Sequence, residues 1–242
     1  MSRCETYSTV PSYIVDLIGN HNNRIVNQPN AINHTGDYVY QVSALTAMQA
    51  TFPSLFRREF FRGPFVFNLT DMHQSNIFID DDWHITCLVD LEWACSRPIE
   101  MIRTPTWLTN QACDEIAEDT SEYNKIRSEF IDIMANEEML TELTSENISL
   151  SEIMNRSWET GTFWFSLVLA SPTGIFSVFY KQIQPRFMDF CPSHHSTDNY
   201  QNFLEIMPWY WSKDLVRIAA RKKQDRKGYD DQLKAAFGIS EE

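Results

Sequence analysis

Residues Asn68 to Trp93 read NLTDMHQSNIFIDDDWHITCLVDLEW, and this stretch decides how the remaining chain is understood. Asn76-Ile77-Phe78-Ile79 and Ile85-Thr86-Cys87-Leu88-Val89 are β-prone runs flanking Asp80-Asp81-Asp82-Trp83-His84, the pattern of a hairpin. Folding about Trp83 pairs Ile77 with Val89, Phe78 with Leu88 and Ile79 with Cys87, apolar against apolar. The same register sets Asn76 opposite Asp90, with Cβ atoms roughly 5 Å apart. A carboxylate at the mouth of an apolar hairpin needs a partner, and a cation is an obvious one. Magnesium keeps several waters and takes one or two protein oxygens plus phosphate oxygens, so an Asn–Asp pair is a sufficient protein share.

Asp71 stands before Asn76 in the spacing Asp-x-x-x-x-Asn, in a turn that leads into the first strand. Phosphoryl transfer uses such a set directly. An Asp accepts or orients the proton of the attacking hydroxyl, the Asn holds metal, and a later Asp holds metal that bridges the nucleotide phosphates. The spacing alone is weak. Joined to an apolar hairpin with an Asp at its exit, it is specific.

The segment Leu69-Thr70-Asp71-Met72-His73-Gln74-Ser75-Asn76-Ile77, followed by Val89-Asp90-Leu91-Glu92-Trp93, resembles the catalytic core of the aminoglycoside phosphotransferase family of kinase-like enzymes, its fungal branch in particular. The family pattern is His-Gly-Asp-x-His-x-x-Asn, an apolar hairpin, then Ile-Asp-Trp-Glu. The resemblance implies Asp71 as catalytic base, Asn76 and Asp90 as Mg²⁺ ligands, and His73 as the second His of the pattern. His73 either assists catalysis at the nucleotide or holds a structural hydrogen bond. Glu92 returns to the strand face of Asp90 and is either a further acid at the metal or the partner of a neighbouring cation. Leu69 and Thr70 replace the first His and the Gly of the pattern, and Leu91 replaces its Trp. The motif spans about a tenth of the chain, and a looser likeness of helix order extends over nearly all of it.

The implied cofactors are Mg²⁺ and ATP, and the implied acceptor is a small-molecule hydroxyl. Family members also carry a nucleotide-binding N-terminal lobe with a phosphate-covering loop and a Lys. Here the 70 residues before Asp71 read as helix, loop, helix, with Gly19, Gly36 and Gly63 as their glycines and no Lys before Lys125. The expectation is one kinase-like C-terminal lobe over residues 1–242, with catalytic loop and metal hairpin at 66–93 and the N-terminal lobe absent. Two functions fit: a metal-dependent phosphotransferase, or a non-catalytic relative that acts as a binding module.

Outward from this segment the chain is mainly helical, so the fold class is α+β, mainly α. Stripes at Tyr13-Ile14-Leu17-Ile18 and at Val39-Val42-Leu45-Met48, the latter stopping at Pro53, mark two helices. Tyr123-Ile126-Phe130-Ile133 marks a third, with Asp119 and Glu122 as a capping pair. Tyr200-Phe203-Leu204-Met207 marks a fourth ended by Pro208, and the tail from Ser212 reads as helix to a break near Gly228. Thr160 to Tyr180 is uncharged, but Ser171-Pro172-Thr173-Gly174 divides it into two buried helices rather than a membrane span. Thr141 to Ser151 reads as a surface loop. Arg97-Pro98-Ile99-Glu100 and Trp107-Leu108 either line the acceptor side or fill the core.

With 242 residues, 43% hydrophobic and 13% aromatic, the chain has ample material for a core. A formal charge of −13 argues against adhesion to nucleic acid or to anionic membranes. The basic run Arg221-Lys222-Lys223 with Arg226-Lys227 reads as a solvated helix face. Five scattered cysteines without a Cys-x-x-Cys pair, and an N-terminus unlike a signal peptide, suit a reducing, cytoplasmic setting. Asp80-Asp81-Asp82 lacks the Gly and Glu of a calcium loop, and His194-His195 beside Cys191 matches no ligand spacing. Neither Gly-x-Ser-x-Gly nor His-Glu-x-x-His occurs, which removes two hydrolase signatures.

Overall fold

The structure, a computed structural model, describes residues 6–141, 148–171, 174–188 and 197–238. Cys4, Pro172-Thr173, Cys191 and His194-His195 lie outside the described residues, as do residues 142–147 of the expected surface loop. The described chain is mainly helical with two small antiparallel sheets and divides into two compact units. No helix among the described residues is long and apolar enough to cross a membrane.

One unit takes in Pro11–Ser54 and Val168–Glu242. Its helices are α1 (Val10–Asn27), α2 (Thr35–Leu55), the α7 (Ile175–Val178) and α8 (Gln184–Met188) turns joined by a π-turn at Phe179–Ile183, α9 (Thr197–Trp211) and α10 (Leu215–Phe237); α6 (Thr162–Ala170) enters it at its end. Ile14, Ile18 and Ile25 of α1 and Tyr38, Val42, Leu45 and Met48 of α2 are buried, as their helical spacing requires. Pro53 does not stop α2, which continues to Leu55, because a proline in a last turn costs a single backbone bond. Pro208 is likewise passed, and its carbonyl accepts the Ser212 amide at 3.1 Å. Gly228 does not break α10 either, since the Arg226–Asp230 pair at 2.9 Å bridges it on the helix surface.

The basic run of α10 is a solvated face only in part: Arg221, Lys223 and Lys227 are exposed, Arg226 is half-buried and Lys222 is buried. Lys222 has no accessible side-chain surface, donates to the Gln28 carbonyl and approaches Asp225 at 3.5 Å. Arg221 donates to the Val26 carbonyl at 2.9 Å, and Arg226 to Asn33 Oδ1 at 2.9 Å. The carbonyls at and just beyond the end of α1, which lack helical partners, are the natural target of these cations.

The other unit is built from Leu55–Leu167. Strands β1 (Phe65–Leu69) and β4 (Ala94–Pro98) pair in one sheet, and β2 (Ile77–Ile79) and β3 (Ile85–Leu88) form a second, lying between them in sequence. Helices α3 (Cys113–Glu118), α4 (Ser121–Thr141) and α5 (Leu150–Thr160) and most of α6 complete the unit. Tyr123, Trp158, Phe163 and Trp164 form an aromatic cluster with ring centroids 5.0 to 5.7 Å apart. Gly161, at φ 92°, ends α5 in the left-handed conformation and lets α6 begin at once. On α4 only the N-terminal part of the apolar stripe is covered: Tyr123 is buried, Ile126 and Phe130 are half-buried, and Ile133 is exposed, since the stripe outruns its neighbours. Asp119 accepts the Ser121 amide at 2.9 Å, one residue before the position whose carbonyl, that of Thr120, takes the first helical bond, so it orders the approach to α4 rather than pairing with Glu122.

The expected loop before α5 is firmly tied where it is described, and Ser151 is buried within the helix. Glu138 of α4 accepts hydrogen bonds from the amides of Leu150 (2.6 Å) and Ser151 (3.1 Å) and the hydroxyls of Ser149 (2.8 Å) and Ser151 (2.6 Å). Burial pushes its carboxyl up, but the bonds from Ser151 and Ser149 outweigh burial and hold it below the ordinary value. A depressed carboxylate adds stability that is fully present above its unfolded pKa, 4.5, and is lost as pH falls through the lower folded value. Glu138→Gln is therefore expected to destabilise the protein by about 1 kcal/mol at neutral pH. In urea denaturation the gap from wild type should close as the pH is taken well below 4.5; a gap of constant size would contradict this account.

Candidate functional site

The β1–β4 ladder places the candidate residues. Its register sets Leu69 opposite Ala94, so the turn that follows β1 and the turn that precedes β4 leave the sheet side by side. The Thr70 hydroxyl donates to the Trp93 carbonyl across them. In the first turn Asn76 Nδ2 donates to the Asp71 carbonyl at 3.1 Å, and the Asn76 amide to the His73 carbonyl at 2.9 Å. The Asp-x-x-x-x-Asn spacing thus closes on itself as a locked loop. Asn76 Oδ1 accepts only a long bond from Ser75 Oγ, at 3.3 Å. Gln74 ties the same turn to Asn110 Oδ1 at 2.9 Å, an anchor that sequence spacing did not signal.

His73 makes a local hydrogen bond. Its Nδ1 accepts the Ser75 amide at 3.4 Å and caps the short 3₁₀ turn Gln74–Asn76.

The hairpin forms, but its register differs from the expected one. Ile77 pairs with Leu88 and Phe78 with Cys87, while Ile79 pairs with Ile85. The turn is set by Asp80, whose Oδ1 accepts the Asp82 and His84 amides at 3.0 and 2.9 Å and whose own amide donates to the His84 carbonyl at 3.0 Å. Those bonds, led by the one from His84, hold the Asp80 carboxyl below its ordinary value. Trp83, at φ 66°, completes a three-residue turn. Thr86 is then the extra residue of a bulge, its hydroxyl donating to the Phe78 carbonyl at 3.2 Å. As a result Asn76 faces Val89, whose amide donates to the Asn76 carbonyl at 3.1 Å, and Asp90 lies one residue beyond the pair.

Asp90 adopts φ 63° and ψ 44°, the left-handed region, with no hydrogen bond from its side chain to the turn that follows. Leu91–Trp93 is a 3₁₀ turn, so Glu92 does not share a strand face with Asp90 as alternation implied. The structure therefore joins Asp71, His73 and Asn76 in one bonded turn. Asp90 and Glu92 stand in the neighbouring turn, without a hydrogen bond to those three residues. Asp71, His73, Asp90 and Glu92 are exposed and Asn76 is half-buried. Among the described residues no group of three or more His, Cys, Asp and Glu side chains is placed to hold a metal. The oxygens of Asn76 and Asp90 are hard donors of the kind Mg²⁺ takes.

No family model matches the chain, and neither a curated protein nor a solved structure matches it.

Beyond the turns lies a cavity of about 120 Å³ whose walls include Asn68, Thr70, Met72, Arg97, Arg103 and Trp107. Of the segment noted after the hairpin, Arg97 and Trp107 line this cavity. Glu100 instead is buried against Arg57, accepting from its amide at 3.0 Å and its Nε at 3.2 Å. Burial pushes the Glu100 carboxyl up, against the Arg57 bonds. Arg103 gave no sequence signal, being a single Arg three residues after Glu100 that fits no motif.

A left-handed residue with a Cβ is costly by about 1–2 kcal/mol, less for Asp than for Ala. In urea denaturation Asp90→Gly is expected to match or exceed wild-type stability and Asp90→Ala to fall below it. The reverse order would show that Asp90 is held by side-chain contacts rather than by the turn.

Proposed function

We propose that this chain carries the catalytic segment of a kinase-like C-terminal lobe of the aminoglycoside phosphotransferase type, which moves the γ-phosphoryl group of ATP to a hydroxyl of a small-molecule acceptor. The observation that carries this reading is the closed Asp71–Asn76 turn beside the left-handed Asp90. A single turn that fixes a base and an amide oxygen together, next to an acid held in an unfavourable backbone conformation, suits a site that positions more than it reacts.

In this mechanism Asp71 accepts the proton of the acceptor hydroxyl and orients it for in-line attack. Asn76 Oδ1 and the Asp90 carboxylate are the residues that would hold Mg²⁺, which would supply positive charge to the nucleotide phosphates. His73 keeps the turn in shape through Ser75 rather than touching the reactants. Glu92, exposed on the adjoining turn, either adds a second acid to the metal side or pairs with a cation.

A second reading, a non-catalytic binding module, is favoured by one specific observation. Phe67 is 73% exposed and Trp83 81%, and Phe78, Ile79, Ile85 and Trp93 are exposed as well. Apolar surface of that kind marks interaction sites.

Paramagnetic broadening separates the two. Mn²⁺ with ATP added to the full chain is expected to broaden the Asn76 and Asp90 amide resonances selectively and saturably, and Asp90→Ala is expected to abolish the effect. Absence of selective broadening at these two residues would overturn the phosphotransferase reading in favour of the binding module.

A further inference from the structure

Arg97 is only 7% exposed, and its Nε is buried with no hydrogen-bond partner among the described residues. Arg103 is half-buried, and its Nη1 donates to the Ser166 carbonyl at 2.9 Å. Burial pushes the Arg103 pKa down to about 10, and the positive charge of Arg97 adds to that effect. The two cations line one cavity, and no carboxylate is among its walls. One carbonyl is a dipole, not a counter-charge. In a chain of net charge −13, with 33 acidic residues, the lack of an acid among the described residues lining the cavity of a buried and a half-buried arginine is a constraint that this part of the fold does not resolve.

An oxyanion resolves it. The cavity of about 120 Å³ is well above what a single water needs, enough for a group of phosphate or carboxylate size. Two guanidinium forks offer planar paired donors that match such oxygens. The walls also include Thr70 and Met72, the residues on either side of Asp71, so an anion here lies beside the catalytic turn.

We propose that the Arg97–Arg103 cavity is an oxyanion site that anchors a carboxylate or phosphate group of the acceptor, leaving its hydroxyl on the side of Asp71. The identity of the anion's owner as acceptor rests on the phosphoryl-transfer reading; the anion site itself does not.

The test follows the arginine Nε–Hε resonances of the full, folded chain while inorganic phosphate or malonate is added in divalent-free buffer at constant ionic strength. Arg97→Lys and Arg103→Lys assign the two signals. Those signals are expected to shift saturably with at least one of the anions and not with chloride, and Arg97→Met is expected to weaken binding about tenfold or more. Should Arg97→Met not fold, Arg97→Lys is expected to weaken binding in the same direction, because it keeps the charge and loses the fork. Tighter phosphate marks a phosphorylated acceptor, and tighter malonate a carboxylate-bearing one. Shifts reproduced by chloride, or unchanged binding in the variants, overturn the site even if Mn²⁺ and ATP bind as expected. Anion binding without the nucleotide response keeps the anion site and overturns its assignment to an acceptor.

Discussion

The pairing of β1 with β4 is the constraint on which the rest of this unit depends. Val66 lies opposite Arg97 and Asn68 opposite Cys95, so Val66, Asn68, Cys95 and Arg97 share one face of the ribbon, while Phe67 and Ser96 share the other. Asn68 and Arg97 line the cavity, and Phe67 and Ser96 are exposed. A slip of one residue would flip one strand's faces against the other's, sending Arg97 to solvent if β4 slips or bringing Phe67 inward if β1 slips. The same slip would pull the Asp71 turn away from the Asp90 turn, since both are the direct continuations of Leu69 and Ala94. One short ladder thus sets the cavity, the locked turn and the base of the hairpin together.

Much of this was legible because residue type alone determines it. Alternating β-prone runs around three aspartates and a tryptophan specify a hairpin, and the spacing of Asp71 and Asn76 places them in a turn, although its closure through the Asn76 side-chain amide comes only with the structure. Register was not legible, because it depends on which amides one carboxylate captures. Asp80 takes those of Asp82 and His84, shortens the turn, and leaves Thr86 to be absorbed as a bulge. That one-residue difference is what moves Asp90 from facing Asn76 to standing past it. Periodicity located the helices but overstated the power of single breakers. Pro53 and Pro208 lie near helix ends where few bonds remain to be lost, and Gly228 is spanned by an ion pair.

The hairpin also shows why apolar patterning is a one-sided guide. β-prone runs predict strands, but they do not say what covers them. Residues of both strands are exposed here, as are Trp83 at the turn and Trp93 at the exit. A two-stranded ribbon has too little area to be stable by itself in water. It persists because its mouth is held at both sides: the Val89 amide on Asn76, and Thr70 on Trp93. Stability is imported from the ladder, which leaves the ribbon's own apolar side chains free of a structural duty.

Two of the buried cations, Lys222 and Arg97, have opposite surroundings, and the contrast separates a structural charge from a binding one. Lys222 is enclosed but answered: a helix-end carbonyl accepts from it, Asp225 stands one turn away, and the net result is a fastening between α1 and α10. Arg97 is nearly as enclosed and unanswered at Nε, and the charge nearest in effect to its neighbour Arg103 is its own, of the same sign. Their sequence contexts differ, a basic run around Lys222 and a single arginine before Pro98 at Arg97, and neither context shows how each charge is answered. The difference lies wholly in what the fold supplies. Where the protein provides the acceptor the cation holds two elements together, and where it provides a second cation and open volume instead, the remaining acceptor must come from outside the chain.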